Sequence, residues 1–88
     1  MAARLRSKLE AALSPTSLLV EDESQKHAGH AGAREGGETH FRIRIVSQSF
    51  AGLSRVERQR RVYAAVAEEL AERVHALSLV TLTPDEAG

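Results

Sequence analysis

At 88 residues with no cysteine, the chain is sized for one domain and has no disulfide, no Cys-type zinc site and no thiol nucleophile. Twelve Lys+Arg balance twelve Asp+Glu, so global charge does not draw it to nucleic acid or membrane, and with no Trp, one Tyr and two Phe the core has to be aliphatic. There is no run of about 18 apolar residues of the kind that spans a bilayer; Arg4, Arg6, Lys8 and Glu10 interrupt any secretory-signal block, which points to a cytoplasmic protein.

In chain order, residues 3–13 place Leu5, Leu9, Ala12 and Leu13 at helical spacing, and Ser14-Pro15 stops the helix because proline has no amide hydrogen to donate. SLLVEDE, residues 17–23, predicts a short strand. The stretch KHAGHAGAREGGETHF, residues 26–41, holds His27, His30 and His40 and four of the six glycines; residues 26–38 are expected to be a mobile loop, long for a hairpin. HFRIRIVS, residues 40–47, alternates strictly, with Phe41, Ile43 and Ile45 on one face and His40, Arg42 and Arg44 on the other, the clearest strand in the chain.

SFAGLS, residues 49–54, reads as a turn or short helical piece. Ser54 and Glu57 form an S-x-x-E capping box opening a helix that runs to about Glu72, with Val62, Tyr63, Val66 and Leu70 on its apolar face. HALSLVTLT, residues 75–83, predicts the last strand, and residues 84–88 a frayed tail. The first two strands suit an antiparallel pair. The strand–helix–strand passage suits a right-handed crossover, which makes its two strands parallel. The expected fold class is α+β: one domain built on a three-stranded mixed sheet with helices on one face.

Three chemistries compete for the polar residues. Gly29-His30-Ala31-Gly32 spells G-x-x-G, a nucleic-acid loop when it joins two helices, but here it joins two strands. Imidazole is a common ligand for iron, zinc and copper. His30 reads as a solvated loop residue, and His27 as either a loop anchor or an accessory ligand. His40 and His75 open two strands that would be parallel neighbours, so they would meet at one end of the sheet, as metal ligands or as ordinary polar caps. Arg55, Arg58, Arg60 and Arg61 form either a phosphate-contacting helix face or a solvated face paired with Glu57, Glu68 or Glu69. Glu21-Asp22-Glu23-Ser24 with His27 makes no credible catalytic set, because successive strand residues point to opposite faces, so an enzyme is not expected.

The segments VEDESQKHAGHAG, ETHFRIRIVSQSFAGLSRVERQRRVYAAVAEEL and VHALSLVTL resemble the BolA-like proteins over roughly residues 4–83. The motifs are T-H-F at a strand start, I-V-S-x-x-F-x-G after it, V-Y-A-A-V-A-E-E-L in the helix and H-A-L at the last strand. The resemblance implies an α-β-β-α-α-β fold similar to a class II KH domain. It also implies a partner, a monothiol glutaredoxin, with which a [2Fe–2S] cluster is shared. On that reading His40 and His75 are the ligands, the histidine type of the family, and glutathione comes through the partner. Some members are described as DNA-binding transcriptional regulators of stress response and cell morphology, the alternative function. One departure is Arg58-Gln59-Arg60, where the family commonly has R-H-R; it removes a histidine and leaves the ligand pair untouched.

Overall fold

A computed structural model describes residues 1–23 and 40–88. The expected loop at 26–38, with His27 and His30, lies outside the described residues. The first helix, α1 (Ala2–Leu13), buries Leu5, Leu9 and Leu13, an i, i+4 stripe. Ser14 closes it in the left-handed region, φ 44° and ψ 56°, and Pro15 prevents continuation. Strand β1 (Ser17–Asp22) then pairs antiparallel with β2 (His40–Val46), Ser17 opposite Val46 and Asp22 opposite Phe41. Strand β3 (Ala76–Leu82) pairs parallel with β2, His40 opposite Ala76 and Val46 opposite Leu82. The sheet order is β1-β2-β3, the mixed topology that the crossover argument predicts.

Alternation divides the sheet cleanly. Leu18, Val20, Phe41, Ile43, Ile45, Leu77 and Leu79 face the helices, and Phe41, Ile43 and Ile45 are completely or almost completely buried. After β2 the chain makes a tight junction. Ser47 is fully buried, donates its hydroxyl to the Leu13 carbonyl at 2.6 Å and accepts the Ser49 amide at 3.1 Å. A short 3-10 turn (Gln48–Phe50) drops Phe50 into the core, and Gly52 reverses direction at φ 79°, a region that costs residues with a Cβ. The serine, phenylalanine and glycine of I-V-S-x-x-F-x-G thus each have a structural task.

The expected single helix is two: α2 (Arg55–Ala65) and α3 (Ala67–Glu72), broken at Val66, φ −114° and ψ 26°. Ser54 accepts the Glu57 amide at 3.2 Å, which satisfies one orphan N–H at the start of α2. Val62 and Val66 are buried and Leu70 is partly buried against the core. Tyr63 departs from the expected apolar face and is exposed, because it stands one residue round the helix from Val62. The tail is not frayed. Residues Pro84–Ala87 form a helical turn, α4, with a complete capping box between Thr83 and Glu86 and proline in its first turn.

Candidate metal-binding edge

Parallel pairing of β2 and β3 brings the N-terminal ends of both strands to one end of the sheet. His40 is held there by ladder pairing on both sides: the Glu23 amide donates to its carbonyl at 2.9 Å, and Ala76 lies opposite it on β3. His75 directly precedes Ala76 and is fixed from behind. Val74 is buried, its amide donates to the Glu69 carbonyl at 3.0 Å, and the Arg73 amide donates to the same oxygen at 3.0 Å. Both histidines are exposed. Neighbouring strands run about 4.8 Å apart, so the two histidines begin adjacent strands at one end of the sheet, staggered by a single register position. The last strand therefore starts one residue later than expected, with His75 at its threshold.

What this edge can do is set by donor number. Among the described residues no group of three or more His, Cys, Asp or Glu is arranged to hold a metal ion. With no cysteine in the chain, His40 and His75 can provide two nitrogen donors to a metal centre and leave the remaining positions to another molecule. His27, the possible accessory residue, lies outside the described residues.

The arginine run separates into two kinds of residue. Arg55, Arg60 and Arg61 are exposed on α2. Arg58 turns inward. Its Nε donates to the Leu53 carbonyl at 3.0 Å, its Nη1 to the Thr81 carbonyl at 3.1 Å and to Glu86 Oε1 at 2.6 Å, and its guanidinium lies 5.9 Å from the Phe50 ring centroid. It is an internal tie, not a free phosphate contact. The Arg58 hydrogen bond, helped by the Thr83 amide, holds the Glu86 carboxyl down at about 2. Arg55, Arg58, Thr81, Leu82 and Glu86 line a shallow cavity of about 390 Å³ at the far end of β3 from the histidines.

Two carboxylates have structural roles that the sequence reading did not assign. Glu86 was announced by the T-P-D-E pattern of a capping box. Glu69 carried no local signal: it is fully buried, ion-paired to Arg4 at 2.8 Å and Lys8 at 3.1 Å, while Glu68 takes Lys8 and Glu72 takes Arg4. Of the acids expected to pair with the arginines of α2, Glu68 and Glu69 therefore pair with α1. Burial opposes ionisation of Glu69, but the hydrogen bonds from Lys8, its own backbone amide and Arg4 outweigh it and hold the carboxyl below the usual range.

Comparison with known proteins agrees with this architecture. Residues 9–86 match the family BolA-like protein. The chain is 49% identical over 88 residues to Protein BOLA1, chloroplastic, of Arabidopsis thaliana, covering 98% of this chain and 55% of that protein. The solved structure of BolA1 from Arabidopsis thaliana superposes with a TM-score of 0.90 at 48% identity, covering 100% of this chain and 96% of that one. SufE-like protein 1, chloroplastic/mitochondrial, of the same organism is 51% identical over 94% of this chain, which spans 24% of its length. In Escherichia coli (strain K12) the DNA-binding transcriptional regulator BolA is 43% identical over 94% of this chain and 75% of its own. This chain thus spans about half the length of BOLA1 and a quarter of the SufE-like protein.

Proposed function

The chain belongs to the BolA-like protein family, and we propose that it is a non-enzymatic adaptor in iron–sulfur biology that shares a [2Fe–2S] cluster with a monothiol glutaredoxin. The observation that supports the reading is the register of β2 on β3, which pairs His40 with Ala76, the residue after His75, so that both exposed histidines stand at the start of neighbouring strands. A [2Fe–2S] cluster takes four protein-side ligands. This chain offers two imidazoles and no thiolate, so the other two come from the partner: a glutaredoxin cysteine and the cysteine of glutathione bound to it. When bound, the cluster supplies one-electron redox capacity or a transferable iron–sulfur unit, and mixed nitrogen and sulfur ligation raises its potential. Cytoplasmic placement is part of the proposal; among the described residues no helix is long and apolar enough to cross a membrane.

The experiment is to mix the protein with holo monothiol glutaredoxin and record visible absorption and circular dichroism. A new spectrum at one-to-one stoichiometry is expected. A stable cluster reconstituted on this chain alone would overturn the mechanism.

A second reading, duplex DNA binding, is favoured by the Escherichia coli relative's name and by the exposed Arg55, Arg60 and Arg61. It requires affinity that falls steeply with salt, since each neutralised phosphate releases counterions. Salt-insensitive or absent binding removes it.

A further inference from the structure

The face of the sheet away from the helices is not a neutral polar surface. In one rung of the register Leu19, Arg44 and Val80 lie side by side, and in the next Glu21, Arg42 and Ser78. Leu19 is 47% exposed and Val80 38%, two of the four large hydrophobic residues that the described structure leaves in solvent. Arg42 is exposed and Arg44 half-buried between the two aliphatic side chains. Between one described residue and another, the cations that make ion pairs are Arg4, Arg6, Lys8 and Arg58, not Arg42 or Arg44. Two guanidinium groups thus stand on the central strand, Arg44 flanked by Leu19 and Val80 on the strands to either side and Arg42 by Glu21 and Ser78.

We propose that this face docks an acidic amphipathic helix of a partner protein, laid along β2. Two dimensions fit. Residues two apart on a strand are about 6.7 Å apart, and carboxylates at i and i+4 on a helix are separated by about 6 Å along its axis, so one helix face can meet both arginines. Leu19 and Val80 lie one strand to either side of Arg44, roughly 10 Å from each other, which is the width of one helix. The apolar flanks would cover the partner's aliphatic residues while the arginines meet its acids, the arrangement in which electrostatics sets register and partner choice.

Other occupants fit less well. A second copy placed face to face would set arginine against arginine. Nucleic acid would be offered two cations, but the described part of this face has no aromatic ring for a base to stack on, since Phe41 and Phe50 are buried in the core and Tyr63 is on α2. The inference uses no side chain of the His40/His75 edge, so the two can fail separately.

The test is a titration of isotope-labelled protein with a helix-stapled peptide of about five turns, bearing glutamates at i and i+4 beside leucines, followed by amide chemical shifts and fluorescence anisotropy. The expected result is shifts at Leu19, Arg42, Arg44, Ser78 and Val80. R42E/R44E should weaken binding at least about tenfold, with R42Q/R44Q between it and the unaltered chain. A peptide with lysines at the same two positions should prefer R42E/R44E, a charge swap that also guards against loss by misfolding. Equal binding of the glutamate and lysine peptides overturns the proposal. So do shifts confined to α2 or to the histidine edge, or an oligodeoxynucleotide displacing the glutamate peptide from these same amides.

Discussion

Ser47, with no solvent exposure, joins the end of α1 to the end of β2: its hydroxyl donates to the Leu13 carbonyl, and its amide donates to the Leu82 carbonyl at 2.9 Å. Alanine there keeps the backbone bond and removes the hydroxyl. Ser49 also reaches the Leu13 carbonyl, at 3.3 Å, and softens the loss. Ser47→Ala is therefore expected to cost about 1–2 kcal/mol, read as a fall of roughly 5–10 °C in Tm for a domain of this size; an unchanged melt would show that Ser49 takes over. At the sheet edge, the outcomes concern spectra. His75→Ala is expected to abolish the change on mixing with holo-glutaredoxin while leaving far-UV circular dichroism intact. His40→Cys should keep a cluster with a shifted spectrum, because thiolate is a stronger iron ligand than imidazole. A His75→Ala protein that still gave the full spectral change would remove His75 from the ligand set.

At the scale of elements, regular alternation and helical stripes were readable because each is a local pattern: Phe41, Ile43 and Ile45 for β2, Leu5, Leu9 and Leu13 for α1. That His40 and His75 begin neighbouring strands at one end of the sheet was readable too, since it follows once β2 and β3 are parallel. The break at Val66 was not. No glycine or proline marks it, and amide bonds span it on both sides, Val66 to Val62 at 3.2 Å and Leu70 to Val66 at 3.0 Å. Nor could the sequence say that Arg58 alone among its neighbours turns inward, because its partners at Thr81 and Glu86 arrive from the other end of the domain. Its role is to tie α2, the end of β3 and α4 together. Arg58→Ala is expected to destabilise by about 2 kcal/mol through the Leu53 and Thr81 carbonyls that lose its hydrogen bonds, so a weaker DNA complex in that variant alone says nothing of a phosphate contact. Glu86 titrates at about 2 in the fold against 4.5 ordinarily. A depressed carboxyl stabilises above its unfolded value and loses that contribution as pH falls through the folded one. Acid titration of stability should show this loss between about pH 4.5 and 2, and Glu86→Gln should flatten that part of the curve.

For the molecule as a whole, one side of the sheet is closed by hydrophobic packing and by a clamp between its first and third helices. Arg4 and Lys8 of α1 converge on the buried Glu69 of α3, and their other contacts, Glu72 and Glu68, lie towards solvent. The asymmetry of burial decides how the clamp responds to change. Glu69 is fully buried and Arg4 and Lys8 are not, so removing the cations strands a charge inside the protein, whereas removing the charge lets the cations return to water. Arg4→Ala with Lys8→Ala is accordingly expected to destabilise the fold, by less than the full value for a buried pair because the cations are already partly solvated. Adding Glu69→Gln to that pair should recover much of the loss, since a neutral amide has no charge to compensate. Urea melts of the three proteins check this; equal stability of the double and triple variants would mean that Glu69 is not the residue through which α1 is held.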